Sequence, residues 1–138
     1  MKPLLDAIIA KFTAAGLGTT VTGGIHVGKA KTGAAMPYLV VTPLAAPLEL
    51  AYGTTSDTYS ALMQFALFGP GLTTQGTNTA TVLTAYDNTT LTLASRTNYC
   101  MIRLGEPVPM LQPAGNPERD QNTADVWGFY WTYRYDVI

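Results

Sequence analysis

The sequence predicts an α+β domain, a mainly antiparallel β-sheet with two α-helices packed on one face. Three observations carry this expectation. The chain closes on T-A-D-V-W-G-F-Y-W-T-Y-R-Y-D-V-I, where Trp127, Phe129, Trp131, Tyr133, Tyr135 and Val137 alternate with Val126, Gly128, Tyr130, Thr132, Arg134 and Asp136. Period 2 with this many aromatics marks a strand with one apolar face and one mixed face, and a strand at a terminus stays ordered when a sheet ties it down. The elements read in the order α-β-β-β-α-β-β-β, without the one-for-one alternation of a doubly wound parallel sheet. The length of 138 residues suits a single domain over 1–138, and no internal repeat or linker interrupts it.

Residues 4–15 form the first helix: Leu4, Leu5, Ile8, Ile9 and Phe12 recur at helical spacing, with Asp6 and Lys11 on the other side. Pro3 suits a first helical turn, and Gly16 and Gly18 end the helix. Residues 19–27 hold a weak short strand broken by Gly23-Gly24, and residues 28–36 are a polar loop. Residues 37–42 are strongly β, with Pro43 and Pro47 marking an edge or a bend. Residues 57–68 alternate again and stop at Gly69-Pro70-Gly71, with a hairpin loop expected over 51–56. A second helix spans 77–86 with Ala80, Val82, Leu83 and Tyr86 as its inner face; its threonines are poor helix formers, so packing must hold it. Asp87-Asn88 turns the chain, Leu91 and Leu93 alternate in a short strand, and residues 99–104 form a further strand that 106–110 continue irregularly. Residues 112–123 read as a solvated loop rich in Pro, Gly, Asn and charge.

Composition narrows the function classes. The chain is 47% hydrophobic and only 12% charged, about half the charged share of an ordinary soluble domain. Frequent threonine supplies the polarity, which suits either contact with other protein surfaces or a plain β-rich domain. The formal net charge is −1 and the Lys and Arg are scattered, which disfavours specific nucleic-acid binding. Cys100 is the single cysteine; it excludes an intramolecular disulfide and reads as a small buried hydrophobe. No stretch has the length and apolarity of a membrane span or a secretion signal, so a soluble protein is expected.

A search for chemistry finds no site. There is no His or Cys pair at zinc spacing and no calcium-loop pattern. His26 is a lone histidine in a short strand and reads as structural. Neither a phosphate loop, a G-x-G-x-x-G fingerprint nor a G-x-S-x-G turn is present, and Asp57, Glu118 and Asp120 read as turn and loop residues. Neither an enzyme nor a cofactor or metal is expected. Two loops suggest interaction instead. Residues 28–35 are small and basic with Lys29 and Lys31, and the loop of 112–123, long for a hairpin, carries Glu118, Arg119 and Asp120.

Taken in order, these features resemble a known family. After the amphipathic helix come Gly23-Gly24-Ile25-His26-Val27 and then Ala34-Ala35-Met36-Pro37-Tyr38-Leu39-Val40-Val41. The latter is similar to the "M-P-Y" element of phage tail-completion proteins. A long strand ending Phe65-Ala66-Leu67-Phe68-Gly69, a helix, Leu91-Thr92-Leu93 and the late aromatic strand Trp127 to Tyr135 complete the likeness. The whole resembles the tail-terminator and tail-to-head joining proteins of long-tailed bacteriophages. It departs from them in the long 112–123 loop and in a threonine-rich second helix, where the family has Ala and Glu.

The resemblance implies a non-enzymatic virion protein of the tail or neck, assembled in the bacterial host cytoplasm. Such a protein forms a homo-oligomeric ring, commonly a hexamer, on the head-proximal end of the tail tube. Its partners are the tail tube protein and the head or neck connector, and DNA passes through the lumen without specific binding. Lys29 and Lys31 are then expected at a ring surface or the lumen, and Glu118, Arg119 and Asp120 in a contact loop. The alternative within the same setting is a head-completion or adaptor protein of the neck. An enzyme or small-ligand binder with this layout, or an unrelated β-rich binding module, are the readings outside it.

Overall fold

Leu4, Ile8 and Phe12 stand at i, i+4 and i+8, so one stripe of the first helix meets the sheet, and all three are buried. The computed structural model describes residues 2–45, 61–93, 96–112 and 126–137, and this helix, α1, spans Lys2–Ala14. Gly16 ends it in the left-handed region at φ 68°, where a Cβ is unfavourable. A 3-10 turn at Leu17–Thr19 follows, and of the weak strand expected over 19–27 only β1, Ile25–Val27, is extended.

The remaining elements are β2 (Tyr38–Ala45), β3 (Ala61–Pro70), α2 (Leu72–Tyr86), β4 (Thr90–Leu93), β5 (Arg96–Arg103), β6 (Val108–Leu111) and β7 (Val126–Val137). The strands form one sheet in the order β1-β2-β3-β7-β5-β4. β1 runs parallel to β2; every other pair is antiparallel. The fold class is the expected α+β one. β7 pairs along its length with β3 on one side, so β5 and β6 share its other side in turn. The continuation expected over 106–110 is therefore a separate strand. Between Leu104, which donates to the Thr132 carbonyl at 2.9 Å, and Val108, opposite Tyr130, the chain bulges around Gly105 at φ 110°.

Pro43 does mark a bend: the β2–β3 register shifts between Pro43 and Ala45. It does not mark an outer strand, because β1 covers Leu39 to Val41 on the other side. Gly69-Pro70 does not stop β3, which runs through Pro70. Only Gly71, at φ 82°, separates strand from helix. The hairpin expected over 51–56 and the strand start at 57–60 lie outside the described residues, as does the loop expected over 112–123 apart from Gln112. Cys100 lies in β5, opposite Asp136 of β7.

α2 begins at Leu72, five residues before the expected start, and its inner face is Gln75, Thr79, Val82 and Tyr86. Ala80, expected inside, is exposed. The stripe rotated because Gln75 is locked at the β3–α2 junction. Its Nε2 donates to the Pro70 carbonyl at 2.9 Å, and its Oε1 accepts from Asn78 at 3.1 Å. Its side chain lies where a Cβ on Gly69 would stand. The outward threonines Thr77, Thr81 and Thr84 return their hydroxyls to the carbonyls of Thr73, Thr77 and Ala80, the local bonding that makes threonine a weak helix former.

The core lies between the helices and one sheet face. Leu39 and Val41 of β2, Met63, Phe65 and Leu67 of β3, and Phe129, Trp131, Tyr133 and Tyr135 of β7 meet the α1 stripe and Val82 and Tyr86 of α2. Tyr86 joins the two helices, its phenol donating to the Ile8 carbonyl at 2.7 Å in a buried setting. Tyr135 is equally buried, yet among the described residues its hydroxyl has no hydrogen-bond partner. The two therefore respond oppositely to loss of the oxygen. Tyr86→Phe is expected to lose about 0.5–1.5 kcal/mol, since it removes a buried hydrogen bond that ties the two helices. Tyr135→Phe is expected to be neutral or stabilising by up to about 1 kcal/mol, since it removes an unsatisfied polar atom. Urea midpoints of the two variants check the contrast.

Candidate assembly surface

Successive residues of a strand point to opposite faces, so the residues alternating with the core set form a face that neither helix covers. Register places Tyr38, Phe68, Gly128 and Met110 on one rung of that face, and Val40, Ala66, Tyr130 and Val108 on the next. Large and small residues alternate between the rungs, and the large ones lean over the small ones. The Phe68 ring stands 5.4 Å from that of Tyr38 and meets Tyr130 edge-to-face at 5.6 Å. A Cβ on Gly128 would stand 2.9 Å from both the Phe68 and Tyr130 rings, so the strand glycine makes room for the aromatic pair. Val40 and Ala66 are buried, while Tyr38, Phe68 and Tyr130 stay half-buried.

His26 extends the row onto β1, 5.8 Å from Tyr38 and edge-on to it. Its Nε2 lies 2.9 Å from the Gly23 carbonyl, a structural contact as the sequence suggests. At the other end Gln112 reaches the Tyr130 hydroxyl at 3.3 Å. Each aromatic contact in such a row adds about 0.5–1.5 kcal/mol beyond area burial. The row thus ties four strands together and leaves a half-exposed apolar stripe from the β1 side to the β6 side.

Both edges of the sheet, beyond the ends of the stripe, carry exposed apolar side chains; register puts Val27 and Leu111 on the other face from the stripe. At the β6 end these are Leu104, Val108, Met110 and Leu111; at the β1 end they are Val27 and Met36. All of β6 is exposed. Pro109 sits where the β6 backbone turns away from β7: Gln112 donates to Val126 at 2.9 Å, so alternate residues point outward. A proline there removes an outward N–H and blunts the strand edge.

Two sets of charged side chains flank this part of the sheet. Lys29 and Lys31 are exposed in the loop that leaves β1. This loop is held at its return, because the Gly23 N–H donates to the Pro37 carbonyl at 2.8 Å and a Cβ on Gly23 would overlap the Ala35 carbonyl. On the opposite side, Asp87 accepts from Tyr133 at 2.6 Å and from Arg103 Nε at 3.1 Å. Arg103 also contacts Glu106 at 3.1 Å. Asp87, Arg103 and Glu106 line a cleft with Asn88, Ile102 and Gly105. Burial, then the bond to Asp87 and its charge, push the Tyr133 phenol well up. The network joins the end of α2 to β5 and β7, and among the described residues no cluster of His, Cys, Asp or Glu is arranged to hold a metal.

Of the expected contact residues, Lys29 and Lys31 are thus together and exposed, while Glu118, Arg119 and Asp120 lie outside the described residues. The aromatic row and the exposed β6 side chains were not expected. Tyr130 falls on the mixed face of the last strand and Phe68 on the second face of the 57–68 strand, and no local signal links them.

No family model and no curated protein matches the chain. Among solved structures it is similar to a chain of the virion of a native gene transfer agent particle, with a TM-score of 0.59 and 15% identity. The match covers 88% of this chain and 83% of that one. The two share a fold over most of their lengths. No helix among the described residues is long and apolar enough to cross a membrane.

Proposed function

We propose that this protein is a structural subunit of a phage-like virion, and that it forms a ring on the head-proximal end of a tail tube. The ring ends tube growth and offers a surface to the head or neck connector. The observation that carries this reading is the fold shared with a virion chain over 88% of the sequence. The sequence resemblance to tail-terminator proteins supports the finer role. The open, partly apolar sheet face supports an assembly protein, because exposed apolar stripes of this kind are contact surfaces. The protein acts by shape and contact, without catalysis. Lys29 and Lys31 would stand at a ring surface, and DNA would pass through the lumen without specific binding.

Light scattering of the purified protein, with negative-stain images of the same fractions and of fractions mixed with tail tubes, tests the role. Rings in solution, or rings on one tube end only, are the expected result. Binding to the head connector with no binding to tubes would assign the neck-adaptor role instead. Binding to neither would overturn the reading.

A further inference from the structure

Resting on the ring reading, we infer that two opposite edges of the sheet are the two halves of one head-to-tail contact between copies of this chain. The β1 edge of one copy meets the β6 edge of a second. β1 is the first strand of the sheet, and β6 lies on the far side of β7 with no strand paired to its outer edge among the described residues.

The two edges are complementary in chemistry. The β1 edge carries exposed Val27 and Met36, and the loop leaving it carries Lys29 and Lys31. The β6 edge carries exposed Leu104, Val108, Met110 and Leu111 beside Glu106, whose side chain is 87% exposed. In the Glu106 cluster two carboxylates, Asp87 and Glu106, face one guanidinium, Arg103. A contact between like edges would set Lys29 and Lys31 against their own copies; a contact between unlike edges sets them toward Glu106. Electrostatic complementarity of this kind selects partner and register. It selects a heterologous contact here, the type that closes into a ring when the rotation permits.

The contact is made by side chains and not by adding strand to strand. β1 has only three residues, and Pro109 takes an outward N–H from β6. Short edges and edge prolines are how sheets avoid open-ended pairing, so the apolar and charged groups carry recognition. The aromatic row runs between the edges and holds them at a set distance within one subunit.

The test uses the full chain as wild type, Val27→Asp, Met110→Asp, and the double variant Lys29→Glu with Lys31→Glu, each checked for folding by circular dichroism. Sedimentation equilibrium is expected to show at least about tenfold weaker self-association for each variant. An equal mixture of Val27→Asp and Met110→Asp is expected to stop at two chains, since only one intact contact can form between them. Adding Glu106→Lys to the lysine double variant is expected to restore association. Should the apolar variants misfold, this charge exchange decides alone.

All chains are also imaged on tail tubes. Variants that form wild-type rings, in solution or on tubes, would overturn the edge contact and leave the ring reading standing. A wild-type chain that neither self-associates nor binds tubes would overturn both.

Discussion

Replacing Phe65 with alanine is expected to cost about 3–5 kcal/mol, the range for removing a buried aromatic side chain. Phe65 is fully buried at the centre of β3. Its ring is 5.0 Å from Tyr133, 5.2 Å from Tyr86 and 5.7 Å from Trp131, the first two edge-to-face. One side chain therefore links β3, β7 and α2. Two of the surrounding rings are anchored by their hydroxyls, Tyr86 to Ile8 and Tyr133 to Asp87. These two cannot move into the space without breaking those bonds, so much of the cavity is retained. Against a domain stability of about 5–15 kcal/mol, much of the folded state's margin is lost. Chemical denaturation of Phe65→Ala beside Phe65→Leu measures this. A loss below about 1 kcal/mol would show that this cluster is not the core.

Raising the pH is expected to unfold the protein from about pH 10 upward. Tyr86, Tyr133 and Tyr135 are fully buried. Burial pushes all three phenols above their usual value; Tyr133 is held up further by Asp87, and Tyr135 by Tyr86 and Tyr133. The sign follows from linkage. Above pH 10 the unfolded chain releases these protons while the folded chain keeps them, so the unfolded state binds fewer protons and stability falls as pH rises. The stabilisation is complete below the unfolded value and is lost between that value and the higher folded ones. Each group contributes a slope of about 1.4 kcal/mol per pH unit, roughly 4 kcal/mol per pH unit for three together. Tyrosinate absorbance and circular dichroism, followed together in an alkaline titration, check this. Three tyrosines are expected to ionise only as the fold is lost. Their ionisation in an intact fold would mean that the core is open to water.

Much of the architecture is legible locally. The alternation in β7 names its core face correctly, because a strand buried on one side must repeat every two residues whatever it pairs with. The α1 stripe is legible for the same reason at period 3.6. The inner face of α2 is not, because Gln75 and Thr79 are polar. What buries Gln75 is the Pro70 carbonyl and the absence of a side chain on Gly69, and both depend on how β3 runs into the helix.

The α+β class, the two helices, the closing strand and the basic loop with Lys29 and Lys31 are legible in the chain alone, whereas the separate strand β6 is not. The legible features follow from propensity and periodicity, which act over a few neighbouring residues. The candidate surface arises from strand pairing. Tyr38, Phe68 and Tyr130 become one row because strand register sets them side by side across Gly128, and β6 becomes an exposed edge because β5 has already taken its share of β7. Register is a property of paired strands, and its partners here are tens of residues apart in the chain.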